Sequence, residues 1–288
     1  MISNLQFIAV PLLACFLLLF MTSYFGIHVL KREIIFIDIA LAQIAVLGGV
    51  AAMFLEHKMD LHEAMIGNLH LAPILSYVFS LLFCLGAAVI FTYLKNPKNR
   101  VPIEAFIGIA YAFATTAAVI ILDKGAGGDV HLHDMLTGTL LWTTWTQIIK
   151  LVPILILVGG FHVLFRKKFI RLSESYNTDI ESVKNYRLWD FLFYFSFSFV
   201  VVEAVKIAGV LTVFAFLILP ASISALFSSS WSNRILLGLL AGIIAAVMGL
   251  YFSISLDLTA SPLIIIFLGI ILLAGVIVKG LSRKKVRT

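Results

Sequence analysis

The chain has 288 residues, of which 61% are apolar and 12% are charged, with a net charge of +6 and a mean hydropathy of +1.08. A soluble domain carries about 25% charged residues, so a chain this apolar needs a bilayer as its solvent. At roughly 20 residues per transmembrane helix, about nine helices fit and a second soluble domain does not. We predict one membrane domain over residues 1–288.

Long apolar stretches recur along the chain. All should be α-helices, because backbone groups in lipid must find their hydrogen-bond partners within their own segment. The predicted spans are residues 5–25, 34–55, 71–94, 103–122, 148–165, 188–206, 209–228, 235–255 and 261–279.

The basic residues are distributed unevenly between the predicted loops. With the N-terminus outside, the cytoplasmic loops and tail hold every Lys and Arg except Lys58, Lys124, Lys150 and Lys206. Cytoplasmic loops are the ones enriched in these residues. The positive charge therefore indicates a topology, with the C-terminus in the cytoplasm, and gives no reason to expect a nucleic-acid partner.

The second predicted span contains Asp38, and a charge inside the membrane is costly and usually functional. Small residues follow it at helical spacing as far as Ala52, which predicts close helix packing and a carboxylate that faces inward. Gln43 lies about 140° round the same helix, so the two side chains need not share one set of ligands. Asp38 could instead anchor the helix end by pairing with Lys31 or Arg32.

The predicted outer loops are rich in histidine and carboxylate. His131 and His133 follow the fourth span, and residues 56–63 form a similar segment after the second. Imidazole and carboxylate are common ligands of zinc, manganese and iron. Neither segment has the spacing of a structural zinc site, so a solvated loop is the alternative interpretation of each.

Two further spans contain residues of interest. Glu203 and Lys206 lie three positions apart near the outer end of the sixth span, where a structural ion pair is the alternative to a functional carboxylate. Pro220 interrupts the seventh span and removes a backbone hydrogen bond. Broken helices often line transport cavities, but a simple packing kink produces the same pattern.

The longest cytoplasmic loop covers residues 166–187. A capping-box pattern at residues 178–181 predicts a short helix that runs to about Tyr186, with Ile180 and Val183 on one side. Such a helix either rests on the lipid surface or inserts into a cleft on a partner protein.

The chain contains no G-x-x-x-x-G-K-[ST] stretch, so it cannot bind ATP through a P-loop. We also find no catalytic constellation and predict a protein that is not an enzyme. If ATP drives it, another subunit must supply the motor.

Several segments resemble the zinc and manganese family of ABC importer permeases. Residues 26–32 and 35–43 are similar to its second-span signature, and residues 209–221 are similar to its G-V-L-L-V-x-A-L-L-I-x-P-A run. Residues 102–111 and 136–142 are similar to one branch of the family. The likenesses occur in order and with ordinary spacing.

The resemblance implies an all-α polytopic membrane protein with the type II, cobalamin-importer-like permease fold. It implies a dimer around a shared pathway in the inner membrane of a prokaryote. The partners would be cytoplasmic ABC ATPase subunits and an external metal-binding protein. The cargo would be divalent zinc, manganese or iron, moved by alternating access, with no covalently bound cofactor.

The resemblance also assigns roles to residues. Asp38 matches the family's second-span aspartate, although Ala42 stands where many members have histidine, which leaves both the metal and direct coordination open. The candidate metal ligands are Asp38, Gln43, Glu203, His131 and His133. The coupling helix would lie at about residues 178–186, with Thr178, Asp179, Ile180, Glu181 and Val183 as candidate ATPase-coupling residues.

Two other classes of protein share the composition. A secondary transporter driven by a proton or sodium gradient would also be polytopic with few internal carboxylates, but it would work without an ATPase. A membrane-embedded enzyme would need the catalytic constellation that is missing.

Overall fold

The computed structural model describes residues 2–59, 65–66, 69–95, 100–123 and 138–285. Nine helices in these ranges are long and apolar enough to cross a membrane. The predicted all-α, multi-pass membrane fold is therefore confirmed.

The helices alternate with short connections. They are α1 (Ile2–Arg32), α2 (Ile37–Lys58), α3 (Leu71–Leu94), α4 (Ile103–Asp123), α5 (Trp145–Leu164), α6 (Arg166–Glu174), α7 (Tyr186–Ala208), α8 (Val210–Phe227), α9 (Trp231–Leu256) and α10 (Ala260–Lys285). Two single 3-10 turns, Leu140–Trp142 and Ile180–Ser182, and a hairpin of β1 (Met65–Ile66) with β2 (Leu69–His70) complete the described elements.

The helix bounds differ from the predicted spans chiefly where charges lie at a helix end. The first span was predicted to end at residue 25, but α1 continues to Arg32. A helix extends past the apolar stretch because each further turn keeps its backbone groups hydrogen-bonded. The β1–β2 hairpin was not predicted, because two-residue strands leave no period in the sequence.

The chain divides into two compact units that alternate along the sequence. The first consists of Met1–Glu33, Leu136–Leu164 and Ala204–Thr288, and the second of Ile34–Met135 and Phe165–Glu203. The single domain over residues 1–288 stays a prediction.

In the first unit, α1 packs against α8 and α9, and α8 and α9 both pack against α10. The closest approach is at Gly26, where an added Cβ would overlap the carbonyl oxygen of Leu217 and lie 2.9 Å from Ala221 Cβ. Small residues allow such close approach of helix backbones in membranes. Gly26 therefore sets the spacing between α1 and α8.

Pro220 does not break its helix, contrary to the interruption that was predicted. α8 is continuous from Val210 to Phe227, and Pro220 is buried within it. The next carbonyl group, that of Ala221, accepts hydrogen bonds from Ser224 Oγ (2.8 Å) and Arg234 Nη2 (3.3 Å). Pro220 therefore lies in a packed helix whose nearby backbone is tied to α9.

In the second unit, α2 packs against both α3 and α4. An added Cβ on Gly48 of α2 would lie 2.6 Å from the carbonyl oxygen of Phe79 on α3. At the start of α2, the backbone N–H of Ile35 donates to Glu104 Oε1 of α4 (3.2 Å). These two contacts fix α2 along its length and at the end that carries Asp38.

Candidate functional site

Asp38 is the second residue of α2, and its side chain is 1% exposed. The helix begins without a side-chain cap, since Phe36 occupies the capping position. The N-terminal end of a helix carries a partial positive charge, which favours a carboxylate there. The local structure therefore explains why an acid is tolerated at this position but not why it is buried.

Neither carboxylate oxygen of Asp38 has a hydrogen-bond partner among the described residues. A buried polar group without a partner costs free energy, and a buried charge costs more. A cation beside Asp38 would therefore offset a cost that the described residues leave uncompensated.

The other candidate ligands do not join Asp38 in one set. Gln43 is 5% exposed and lies about 140° round α2 from Asp38. Glu203 lies near the end of α7, within electrostatic reach of Tyr77 on α3. Asp38 is at the N-terminal end of α2, and Glu203 is near the C-terminal end of α7.

Two candidate metal ligands, His131 and His133, lie outside the described residues. Across the described ranges, no group of three or more His, Cys, Asp or Glu side chains could hold a metal ion.

A polar cluster that was not predicted lies in the first unit, on the C-terminal half of α1. Tyr24 Oη is 3.0 Å from His162 Nδ1 on α5, and the Tyr24 ring packs 4.6 Å from the His28 ring. His28 in turn packs against Trp231 of α9, 4.7 Å between ring centroids. The charge of the buried Arg32 acts on both imidazoles. It repels a further cation at the same place, so we assign no metal to this cluster.

The spacing of that cluster was visible in the sequence. Tyr24, His28 and Arg32 follow one another at intervals of four, which places them on one face of a helix. The contact with His162 is between residues 138 positions apart from Tyr24, and no local pattern indicates it.

The candidate coupling loop is folded differently from the prediction. A helix over residues 178–186 is wrong: the segment forms only the 3-10 turn Ile180–Ser182, and the capping position at Asp179 has no side-chain hydrogen bond. Instead, Ser182 Oγ donates to the carbonyl oxygen of Asp179 (2.8 Å).

The two aliphatic residues of the segment 178–186, Ile180 and Val183, face the protein interior. Ile180 is 3% exposed and Val183 is 4% exposed, so neither is free to enter a cleft on a partner. Thr178, Asp179 and Glu181 are exposed. The surface that the loop offers to another protein is therefore polar.

The sequence interpretation also missed a buried polar group beside this loop, formed by Tyr176, Asp190 and Tyr194. In the sequence, the only indication of this polar group is Asp190, an acidic residue at the fifth position of α7.

The comparisons with known proteins agree with one another. The model of the ABC 3 transport family matches residues 4–279. The manganese transport system membrane protein MntC of Listeria monocytogenes is 28% identical over 212 residues, covering 68% of this chain and 72% of the relative. A probable metal transport system membrane protein of Chlamydia muridarum is 25% identical over 248 residues, covering 85% and 80%.

A solved structure has the same fold. PsaBC from Streptococcus pneumoniae in complex with Fab matches with a TM-score of 0.73 at 23% identity, covering 95% of this chain and 93% of the matched chain. The resemblance read from residues 26–43 and 209–221 is thereby confirmed.

Proposed function

The chain belongs to the ABC 3 transport family, and from that premise we propose that it is the membrane-spanning permease subunit of an ATP-driven importer of a divalent transition metal. The observation that carries the proposal is Asp38, a buried carboxylate at the inner end of α2 whose two oxygens have no hydrogen-bond partner among the described residues. An ion that passes such a group gains a ligand without displacing an existing bond.

Manganese is the first cargo to test, because five relatives are named as manganese transport or import proteins. Carboxylate oxygen suits manganese, whereas zinc more often takes imidazole or thiolate. Ala42 provides no imidazole one turn after Asp38, which supports manganese over zinc at this position.

The transport cycle that we propose is alternating access. Separate ATPase subunits close on ATP, their movement reaches the permease through the loop of residues 166–187, and the pathway changes the side to which it is open. An external metal-binding protein delivers the ion, and two copies of the permease form the pathway. The chain lies in the inner membrane of a prokaryote, with its N-terminus outside and its C-terminus in the cytoplasm.

The proposal is tested by transport in proteoliposomes that contain the chain with its co-purified ATPase. With the metal-loaded external binding protein added, we expect radioactive manganese uptake with ATP and none with a non-hydrolysable analogue. The chain alone, under a proton or sodium gradient, should take up none. Uptake by the chain alone would establish the ion-gradient transporter and reject the ATP-driven importer.

The burial of Ile180 and Val183 changes which residues of the loop can contact an ATPase. We propose that Thr178, Asp179 and Glu181 make that contact, since all three are exposed on one short turn. Ile180 and Val183 act indirectly, because their burial holds the turn against the rest of the second unit.

Reversing the charges of the turn should release the ATPase. The double variant Asp179→Arg/Glu181→Arg is expected to reduce the co-purified ATPase by about tenfold, since a like charge across an interface costs several kcal/mol. The measurement is the ratio of the two proteins after affinity purification in detergent.

The matched control is Glu56→Lys. It also replaces an acidic side chain with a basic one, but near the C-terminal end of α2. It should leave the ratio unchanged. Equal loss of ATPase from both variants would show a general effect of charge and contradict the assignment of the turn.

A further inference from the structure

The phenol of Tyr176 lies at the centre of a buried hydrogen-bonded group. In the chain, Tyr176 comes just before the turn on which Thr178, Asp179 and Glu181 are exposed, which we call the exposed turn. Tyr176 Oη is 2.8 Å from Tyr194 Oη and 3.5 Å from Asp190 Oδ2. Its one proton can go to only one of them, so Tyr194 donates to Tyr176 when Tyr176 donates to the carboxylate. All three side chains are at most 1% exposed, and both of its partners are on α7.

The same residue is also held by the end of α3. Lys95, the residue after α3, places its Nζ 4.0 Å from the centroid of the Tyr176 ring and donates to Asn177 Oδ1 (3.4 Å). One turn back, the Phe91 ring packs edge-on against Tyr194, 6.1 Å between centroids. The segment before the exposed turn is thus attached to both α3 and α7.

From α3 the contacts continue to α2. Ser80 Oγ donates to the carbonyl oxygen of Ala45 (2.7 Å), and Cys84 Sγ donates to that of Leu41 (3.4 Å). Gly48 brings the two backbones together one turn further on. A shift of α3 along its axis cannot occur without moving α2, because these contacts join side chain to backbone and backbone to backbone.

We infer that Tyr176, Tyr194, Asp190 and Lys95, which we call the Tyr176 network, form the mechanical link that carries movement of the ATPase-facing turn to α3, and through α3 to α2 and Asp38. Within the network, the buried hydrogen bond between Tyr176 and Tyr194 (2.8 Å) is the short one, and a hydrogen bond in a low-dielectric setting is directional and strong. Apolar contacts of the same loop, such as that of Phe169 with Trp189, can slide instead. The inference rests on the proposed function.

The link is tested by the number of manganese ions taken up per ATP hydrolysed, measured in proteoliposomes with the co-purified ATPase. Lys95→Met and Tyr176→Phe are each expected to lower this ratio by about fivefold, the low end of the usual range for coupling between sites. Lys95→Arg keeps a cation over the ring and should retain the wild-type ratio.

Tyr186→Phe is the matched control. It removes the hydroxyl of another tyrosine in the same loop, whose Oη accepts a hydrogen bond from Nε of the neighbouring Arg187 (3.3 Å). Its ratio should equal that of the wild-type protein.

The double variant Lys95→Met/Tyr176→Phe sharpens the test. If the two residues act in one link, the ratio should fall by about fivefold and not by the product of the two single effects, since residues of one network are not additive. A multiplied loss would overturn the inference, and so would wild-type ratios in both single variants.

Co-purification of the ATPase and the unfolding temperature distinguish a mechanical link from a role in docking or folding. Normal ATPase co-purification with a lowered ratio supports the link. Loss of the ATPase, or a lowered unfolding temperature in Tyr176→Phe but not in Tyr186→Phe, would show that the network serves docking or folding, and would overturn the inference. Failure of the wild-type protein to import manganese, zinc or iron with ATP would reject the proposed function itself.

Discussion

Replacing Asp38 with asparagine is expected to reduce ATP-driven manganese uptake by roughly tenfold to a hundredfold, while the chain unfolds at the same temperature as the wild-type protein or a higher one. The loss follows from the charge, since a polar contact with a charged group contributes about 1.5–3 kcal/mol, and about 1.4 kcal/mol is a factor of ten. Stability should not fall, because neither carboxylate oxygen loses a hydrogen bond.

This variant is informative because uptake should fall while the unfolding temperature does not. A carboxylate that held α2 in place would lower both uptake and unfolding temperature when changed. Asp257→Asn is the control: it is the same substitution at an exposed residue in the left-handed backbone conformation that ends α9, which asparagine tolerates. Wild-type uptake by Asp38→Asn would remove Asp38 from the pathway.

Replacing Gly26 with alanine should destabilise the chain by about 3 kcal/mol or more, because an added methyl group overlaps the Leu217 carbonyl oxygen. The oxygen is part of the α8 backbone and cannot rotate away, so α1 and α8 must separate. The measurements are the yield of monodisperse protein in detergent and its unfolding temperature.

Gly269→Ala is the matched control for this variant. Gly269 lies in α10, where an added Cβ meets nothing within 4 Å. Alanine has the higher helix propensity by about 1 kcal/mol, so Gly269→Ala should leave the unfolding temperature unchanged or raise it. Equal behaviour of the two variants would mean that α1 and α8 do not pack as closely as the structure shows.

The candidate site was only partly predictable. Asp38 could be found from the sequence because an acid within an apolar stretch stands out against its neighbours. Glu203 stands out for the same reason, yet it is near the C-terminal end of α7, whereas Asp38 is at the N-terminal end of α2. Hydropathy locates a charge along the chain but does not say which charges meet.

The loop before α7 shows where a local pattern fails. Thr178 and Glu181 have the spacing of a capping box, yet the segment forms a 3-10 turn, and its capping residue Asp179 makes no side-chain hydrogen bond. The turn buries Ile180 and Val183, which a helix would also place on one face because they lie three positions apart. The spacing of two polar residues therefore does not determine the conformation of this loop.

The membrane setting, the nine spans and the buried acid of α2 follow from the sequence alone, since each depends on the apolar character of one continuous segment about 20 residues long. The meeting of Tyr176 with Lys95, Asp190 and Tyr194 was decided by the tertiary structure. These side chains come from three different parts of the chain, and only the packing of α3 and α7 beside the loop brings them within bonding distance.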